Sequence, residues 1–168
     1  LIQKRTKNLE YSVSHFKDKF YIMNNKDGAY NYKISETSID DPSSENWIDI
    51  LEHRDQVLLE DFEIFSDHWV VTERENGLTR IKVKRWDKTE DYFIPVSGKT
   101  YLISGSLNPN FETSNFRFSY TSLSTPTTIF EYDMNSKTKK ILKQRTVPNS
   151  KFKSDTYIEI RLWADSRD

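Results

Sequence analysis

The chain has 168 residues, 25 Lys plus Arg against 26 Asp plus Glu, 35% hydrophobic and 14% aromatic residues, and no cysteine. A net charge of -1 supplies no field to draw in nucleic acid or an anionic membrane, and the lack of Cys removes disulfides and thiol chemistry. No apolar run approaches a membrane span, and neither a signal-peptide pattern nor an Asn-x-Ser/Thr sequon occurs, so a cytoplasmic protein is expected, with a periplasmic one left open.

Leu9, Tyr11 and Val13 alternate with polar residues and predict a first strand. Residues 20–23 predict a second and residues 30–34 a third, with Asp27-Gly28 as the hairpin turn between them. A polar loop over 35–46, broken at Asp41-Pro42-Ser43-Ser44, leads to a fourth strand at 47–51. Four more strands are predicted at 60–65, 68–73, 78–85 and 91–95, with Asn76-Gly77 as the central turn. A third set begins at 101–107, continues through Phe118 and Phe130, and ends around Lys137-Thr138 and Ile141-Leu142. Every run has period two and is rich in aromatic and β-branched residues, so almost no helix is expected. Beyond the breaker Pro148-Asn149-Ser150, residues 157–163 alternate again, with Ile158, Ile160 and Leu162 on one face and Glu159 and Arg161 on the other. This predicts a strand entering a different domain.

These sets repeat with a spacing of 49 residues. Phe20-Tyr21-Ile22 aligns with Trp69-Val70-Val71 and with Phe118-Ser119-Tyr120. Tyr32 and Ile34 align with Ile81 and Val83, then with Phe130 and Tyr132. Short alternating strands repeating every 40–50 or so residues mark β-propeller blades. The reading is all-β: about three four-stranded antiparallel blades, at about 9–51, 57–96 and 101–147, within a partial propeller over 1–150. Known rings need about four to eight blades, so three leave two bare outer faces. An isolated chain of this kind is expected to associate with itself. With Leu1 first and a strand-like run before Asp168, it reads as a piece of a longer protein.

Little in the chain carries chemistry of its own. His15, His53 and His68 fall in two blades without ligand or triad spacing, and neither a Gly-x-Ser-x-Gly elbow nor a nucleotide fingerprint occurs. Glu60-Asp61 and Glu90-Asp91 are neighbours on strands, whose side chains point to opposite faces, so neither pair forms an acid–base couple. The basic stretches around Lys82–Arg85 and 137–143 are explained by strands with a wet face. Trp47, Trp69, Trp86 and Trp163 read as core or interface anchors. No metal or cofactor is expected.

The segment His53-Arg54-Asp55-Gln56-Val57-Leu58-Leu59-Glu60-Asp61-Phe62-Glu63-Ile64-Phe65, together with Glu73-Arg74-Glu75-Asn76-Gly77-Leu78, resembles the propeller of the oligopeptidase B (protease II) branch of the prolyl oligopeptidase family. Tyr120-Thr121-Ser122-Leu123-Ser124-Thr125-Pro126 and Glu131-Tyr132-Asp133-Met134 resemble its last blade. Arg161-Leu162-Trp163-Ala164-Asp165-Ser166-Arg167-Asp168 resembles the crossing into the catalytic domain. The resemblance runs from about Glu10 onward. It implies a serine peptidase that cuts short peptides after Arg or Lys, in which a seven-bladed propeller caps an α/β-hydrolase domain and keeps large substrates out. This chain would then be the last three blades, with 151–168 as linker and first hydrolase strand. The Ser/Asp/His triad would lie after Asp168, leaving no catalytic residue here. In that family the loops between second and third strands face the catalytic cavity, which would place Asn25, Lys26, Asp27, Arg74, Glu75, Asn76, Ser124 and Thr125 near substrate. Each is equally well read as a turn residue chosen for backbone geometry. The competing account is a piece of a non-enzymatic interaction propeller, because a fold does not fix a function.

Overall fold

Alternating side chains bury one strand face only when a second sheet covers it, and a middle blade is covered twice. In the computed structural model, which describes residues 1–148 and 152–167, the strands form three four-stranded antiparallel sheets. The first blade holds β1 (Tyr11–Phe16), β2 (Lys19–Asn24), β3 (Lys33–Ser38) and β4 (Ile48–Leu51). The second holds β5 (Val57–Ile64), β6 (His68–Glu75), β7 (Leu78–Arg85) and β8 (Asp91–Phe93). The third holds β9 (Tyr101–Gly105), β10 (Asn115–Ser122), β11 (Thr128–Asp133) and β12 (Thr138–Gln144). Each sheet is a meander in sequence order, and no α-helix occurs among the described residues. The expected all-β architecture of three blades is therefore observed.

The middle blade explains the packing. Val70 on β6, with Ile81 and Val83 on β7, packs toward the third blade with Ile103, Phe116, Phe118, Tyr132 and Met134. Trp69 and Val71, on the other face of β6, pack toward the first blade with Ile34 and Leu59. Both faces of β6 are thus buried, which is why its sequence reads as a continuous apolar run rather than as strict alternation. The seam between the first two blades is aromatic. Trp86 stacks on Phe16 at 4.8 Å between centroids, lies 4.8 Å from Tyr21 and 5.9 Å from Trp69, and donates its indole N–H to the Phe65 carbonyl at 2.9 Å.

Several expectations are corrected. The third strand begins at Lys33, not at residue 30, and Asp27-Gly28 is not a two-residue hairpin. Asp27 (φ 59°), Gly28 (φ 82°) and Tyr32 (φ 63°) adopt left-handed backbone, so 25–32 forms a looped connection with Tyr30 exposed. The 49-residue spacing therefore locates strands but not pairing register: Val70 faces Val83, whereas Ile34 faces Met23 rather than Tyr21. A bulge between Leu59 and Asp61 leaves Glu60 and Asp61 both exposed, so the expected opposition of their faces fails. Residues 157–163 form no strand, because no ladder pairs with them. Trp163 is 74% exposed and so is no core anchor, with the Arg161 guanidinium 4.3 Å from its ring centroid. The expected domain boundary at 150/151, the linker residues Asn149, Ser150 and Lys151, and Asp168 lie outside the described residues.

The Asn76-Gly77 turn is as expected: Glu75 faces Leu78, and both turn residues have positive φ (50° and 76°). A Cβ on Gly77 would also lie 3.3 Å from Nη2 of Arg161. Gly77→Ala is expected to cost about 1 kcal/mol, read as a lower denaturant midpoint at unchanged slope.

Candidate functional site

Antiparallel meanders send every second-to-third connection to the same end of their sheet as the entry to the first strand. The pairs Tyr11–Asn24, Val57–Glu75 and Tyr101–Ser122 mark that end in the three blades. Neighbouring blades are stitched together there. Tyr30 Oη donates to Asp55 Oδ1 at 2.9 Å, and the Leu59 amide donates to the Asn31 carbonyl at 3.0 Å. The Ile103 amide donates to Thr79 Oγ1 at 2.9 Å. The expected loop residues thus share one face of the molecule.

All of them except Asn76 are already engaged. Asn25 Oδ1 accepts the Glu10 amide and its Nδ2 donates to the Asn8 carbonyl, tying the connection to the segment before β1. Lys26 lies 3.7 Å from Asp27, and Asp27 lies 3.6 Å from Lys33, which pairs with Asp49 at 2.8 Å. Arg74 pairs with Glu60 at 2.6 Å and Glu75 with Arg80 at 2.7 Å. Asn76 shapes the turn. Ser124 gives both its amide and its hydroxyl to Glu159, at 2.7 and 2.6 Å, while the Thr125 amide donates to Ser122 Oγ at 3.0 Å. A cavity of about 480 Å³ beside the first-blade loop is lined by Lys7, Asn8, Asn25, Lys26, Asp27 and Tyr30, among others.

Sequence reasoning missed the electrostatic centre of this face. The Glu73 side chain is fully buried and takes Arg54 at 2.5 Å and Arg80 at 2.7 Å. Arg80 also pairs with Glu75 and has its guanidinium 4.2 Å from the Phe93 ring centroid. A signal for half of this existed: with a two-residue turn at Asn76-Gly77, Glu73 must face Arg80 across the ladder, as it does. Glu159 was also missed as a contact. Its carboxylate accepts from Ser122 Oγ at 2.5 Å, from Ser124, and from Thr100 Oγ1 at 2.7 Å. The Ser122 hydroxyl first, then those of Ser124 and Thr100 and the Ser124 amide, hold its pKa down to about 2. Its contribution is therefore fully present above the ordinary carboxylate range and is lost only as pH falls toward that value.

The histidines do not converge. His68 is buried, and burial with the nearby Arg85 charge pushes its pKa down. His15 lies 5.5 Å from Phe20, and His53 lies 4.7 Å from Tyr30, centroid to centroid. His53 Nδ1 is 3.7 Å from Asp55, too far for a hydrogen bond.

Glu63 on β5 titrates near neutrality. Burial pushes its pKa up to about 7, against the Asn108 amide, which donates to it at 2.9 Å. Its carboxylate also lies 2.4 Å from where a Cβ on Gly105 would stand, so it is wedged against the third blade. The fold favours the protonated acid. Stability should therefore fall as pH rises from about 4.5 to 7 and level off above. Glu63→Gln keeps an acceptor for Asn108. It is expected to flatten that dependence and stabilise the protein at pH 8 by on the order of 2 kcal/mol, allowing for partial exposure. Denaturant titrations at pH 5 and 8 check it.

A profile described as "Prolyl oligopeptidase, N-terminal beta-propeller domain" matches residues 1–145. The chain belongs to the prolyl oligopeptidase family. Dipeptidyl aminopeptidase BI of Pseudoxanthomonas mexicana is 36% identical over 168 residues, covering 100% of this chain and 23% of that protein. Protease 2 of Moraxella lacunata is 26% identical over 167 residues, covering 99% and 23%. Oligopeptidase B from Trypanosoma brucei, in a closed form with covalently bound antipain, superposes with a TM-score of 0.85 at 25% identity, over 94% of this chain and 23% of that one. This piece of the oligopeptidase propeller thus spans under a quarter of the length of these relatives.

Proposed function

We propose that this chain is the propeller cap of a serine oligopeptidase that cleaves short peptides after Arg or Lys. Its catalytic α/β-hydrolase domain would supply the triad from residues after Asp168. The cap would restrict entry to small chains and exclude water around the bound peptide, so it acts on substrate size while the catalytic pocket acts on charge. The observation that carries this reading is the arrangement at one end of the blades. The second-to-third connections lie on one face, and segment 157–163 crosses two of them through Glu159 at Ser122 and Ser124 and Arg161 at Gly77. Ile158, Ile160 and Leu162 of that segment are 88, 65 and 84% exposed, an apolar row suited to being covered by the catalytic domain. Asn25, Lys26, Asp27, Arg74, Glu75, Asn76, Ser124 and Thr125 would then border the cavity. A cytoplasmic setting remains the proposal.

A second reading is favoured by one observation, the 36% identity to a dipeptidyl aminopeptidase: release of dipeptides from a free N-terminus. The whole protein should be assayed with fluorogenic peptides ending in Arg-Arg, Lys or Gly-Pro. Each is offered with a blocked and a free amino end, with and without a serine-directed covalent inhibitor. Inhibitor-sensitive cleavage of blocked Arg and Lys substrates supports the oligopeptidase. Cleavage confined to free-amino dipeptides supports the second reading. No hydrolysis and no labelling would leave the interaction propeller. The isolated chain is expected to self-associate through its outer blades, where Ile48 and Ile141 are exposed.

A further inference from the structure

Segment 157–163 has its polar side chains turned inward and its apolar ones outward, the reverse of an ordinary surface strand. Glu159 and Arg161 are half-buried, while Tyr157, Ile158, Ile160, Leu162 and Trp163 are exposed. The inward contacts are specific. The cradle around Glu159 consists of neutral donors: Ser122 Oγ at 2.5 Å, the Ser124 amide at 2.7 Å, Ser124 Oγ at 2.6 Å and Thr100 Oγ1 at 2.7 Å. The cradle is braced from within. Ser122 Oγ accepts the Ser124 and Thr125 amides, the Ser122 amide donates to the Thr125 carbonyl, and Thr121 Oγ1 donates to that same carbonyl. A carboxylate received by several converging hydroxyl and amide donors is held by charge-assisted bonds, roughly twice as strong as neutral ones. Two residues on, the Arg161 guanidinium lies against Gly77, where the second blade presents no side chain.

We propose that segment 157–163 is a strap and Glu159 its latch. While Glu159 sits among Thr100, Ser122 and Ser124, the strap is fixed across the second and third blades and its apolar row points in one direction. Resting on the reading of the chain as a peptidase cap, this latch sets how the cap seats on the catalytic domain. Releasing it opens the cap and weakens the discrimination against long substrates. Nothing covalent is involved; the two states differ by whether one carboxylate is in its cradle or in water.

The test uses the whole protein and the variants Glu159→Ala, Glu159→Gln and Ser124→Ala, with two readouts. The first is hydrogen exchange at the Ser124 amide and along 157–163. Glu159→Ala should speed it about tenfold or more, the loss of one charge-assisted bond. Ser124→Ala removes a hydroxyl but keeps the amide donor and should have a smaller effect in the same direction, as should Glu159→Gln. The second is the ratio of kcat/KM for an eight-residue peptide to that for an unfolded chain of about sixty residues carrying the same cleavage sequence. Glu159→Ala should lower that ratio several-fold, mainly by improving cleavage of the long chain. Unchanged Ser124 exchange in Glu159→Ala overturns the latch, and so does faster exchange with an unchanged ratio. If the wild-type protein cleaves no peptide, the peptidase reading falls separately, and the exchange arm still decides whether Glu159 holds the strap.

Discussion

Replacing Trp86 with alanine should break the seam between the first two blades and cost about 3–4 kcal/mol. The indole touches Phe16 and Tyr21 of the first blade and Trp69 of the second, and its N–H satisfies the Phe65 carbonyl. Truncation removes all of these contacts at once. It leaves a void between rigid sheets that side chains anchored on opposite strands cannot easily fill. Trp86→Phe keeps most of the stacking and loses the hydrogen bond, so about 1–2 kcal/mol is expected. Trp163→Ala is the control, because that ring is 74% exposed; its effect should stay within about 0.5 kcal/mol. Denaturant midpoints decide among these. A Trp86→Ala effect as small as that of Trp163→Ala would contradict the account of the seam.

The second large effect belongs to Glu73. Glu73→Ala removes the common acceptor of Arg54 and Arg80 and leaves two guanidinium groups facing a dry interior. Breaking a buried pair this way costs about 3–5 kcal/mol. Both arginine side chains are about a third exposed (33 and 32%) and can turn toward water, so the lower figure, about 3 kcal/mol, is expected. Arg80 also keeps Glu75. A double substitution, Glu73→Leu with Arg80→Leu, should recover part of the loss, because an apolar pair of similar volume needs no compensating charge. A double variant worse than the sum of the singles would show that the network, not the unpaired arginine, is what matters.

The legible part of this fold lies where side chains alone dictate the strand. β6 and β7 lie almost where the pattern and the Asn76-Gly77 turn put them: β6 is a continuous apolar run buried on both faces, β7 alternates with period two, and the turn dipeptide fixes the register between them. β5 begins earlier than expected. Glu60 and Asp61 read as a strand start, whereas a bulge carries them in mid-strand, with Glu60 paired to Arg74. β3 was misplaced because Tyr30 and Tyr32 continue an alternating pattern, and a tyrosine carries no sign that its φ will be 63°. The alternation at 157–163 is real, yet its meaning differs. A strand needs a partner ladder, and here side chains, not backbone, hold the segment. In the candidate site, the turn residues were visible as turns. Glu73 facing Arg80 was deducible from register. The approach of Arg54 to Glu73 and of Glu159 to Ser122 joins residues 19 and 37 apart across loops, which no local pattern encodes.

Blades that cap a peptidase should filter its substrates by size. The most direct measurement presents one Arg-containing cleavage sequence to the whole protein, in an eight-residue peptide and within a folded protein loop of the same sequence. The account predicts rapid, inhibitor-sensitive cleavage of the peptide and essentially none of the folded protein. Equal cleavage of both would contradict it, because a cap that admits folded protein excludes nothing.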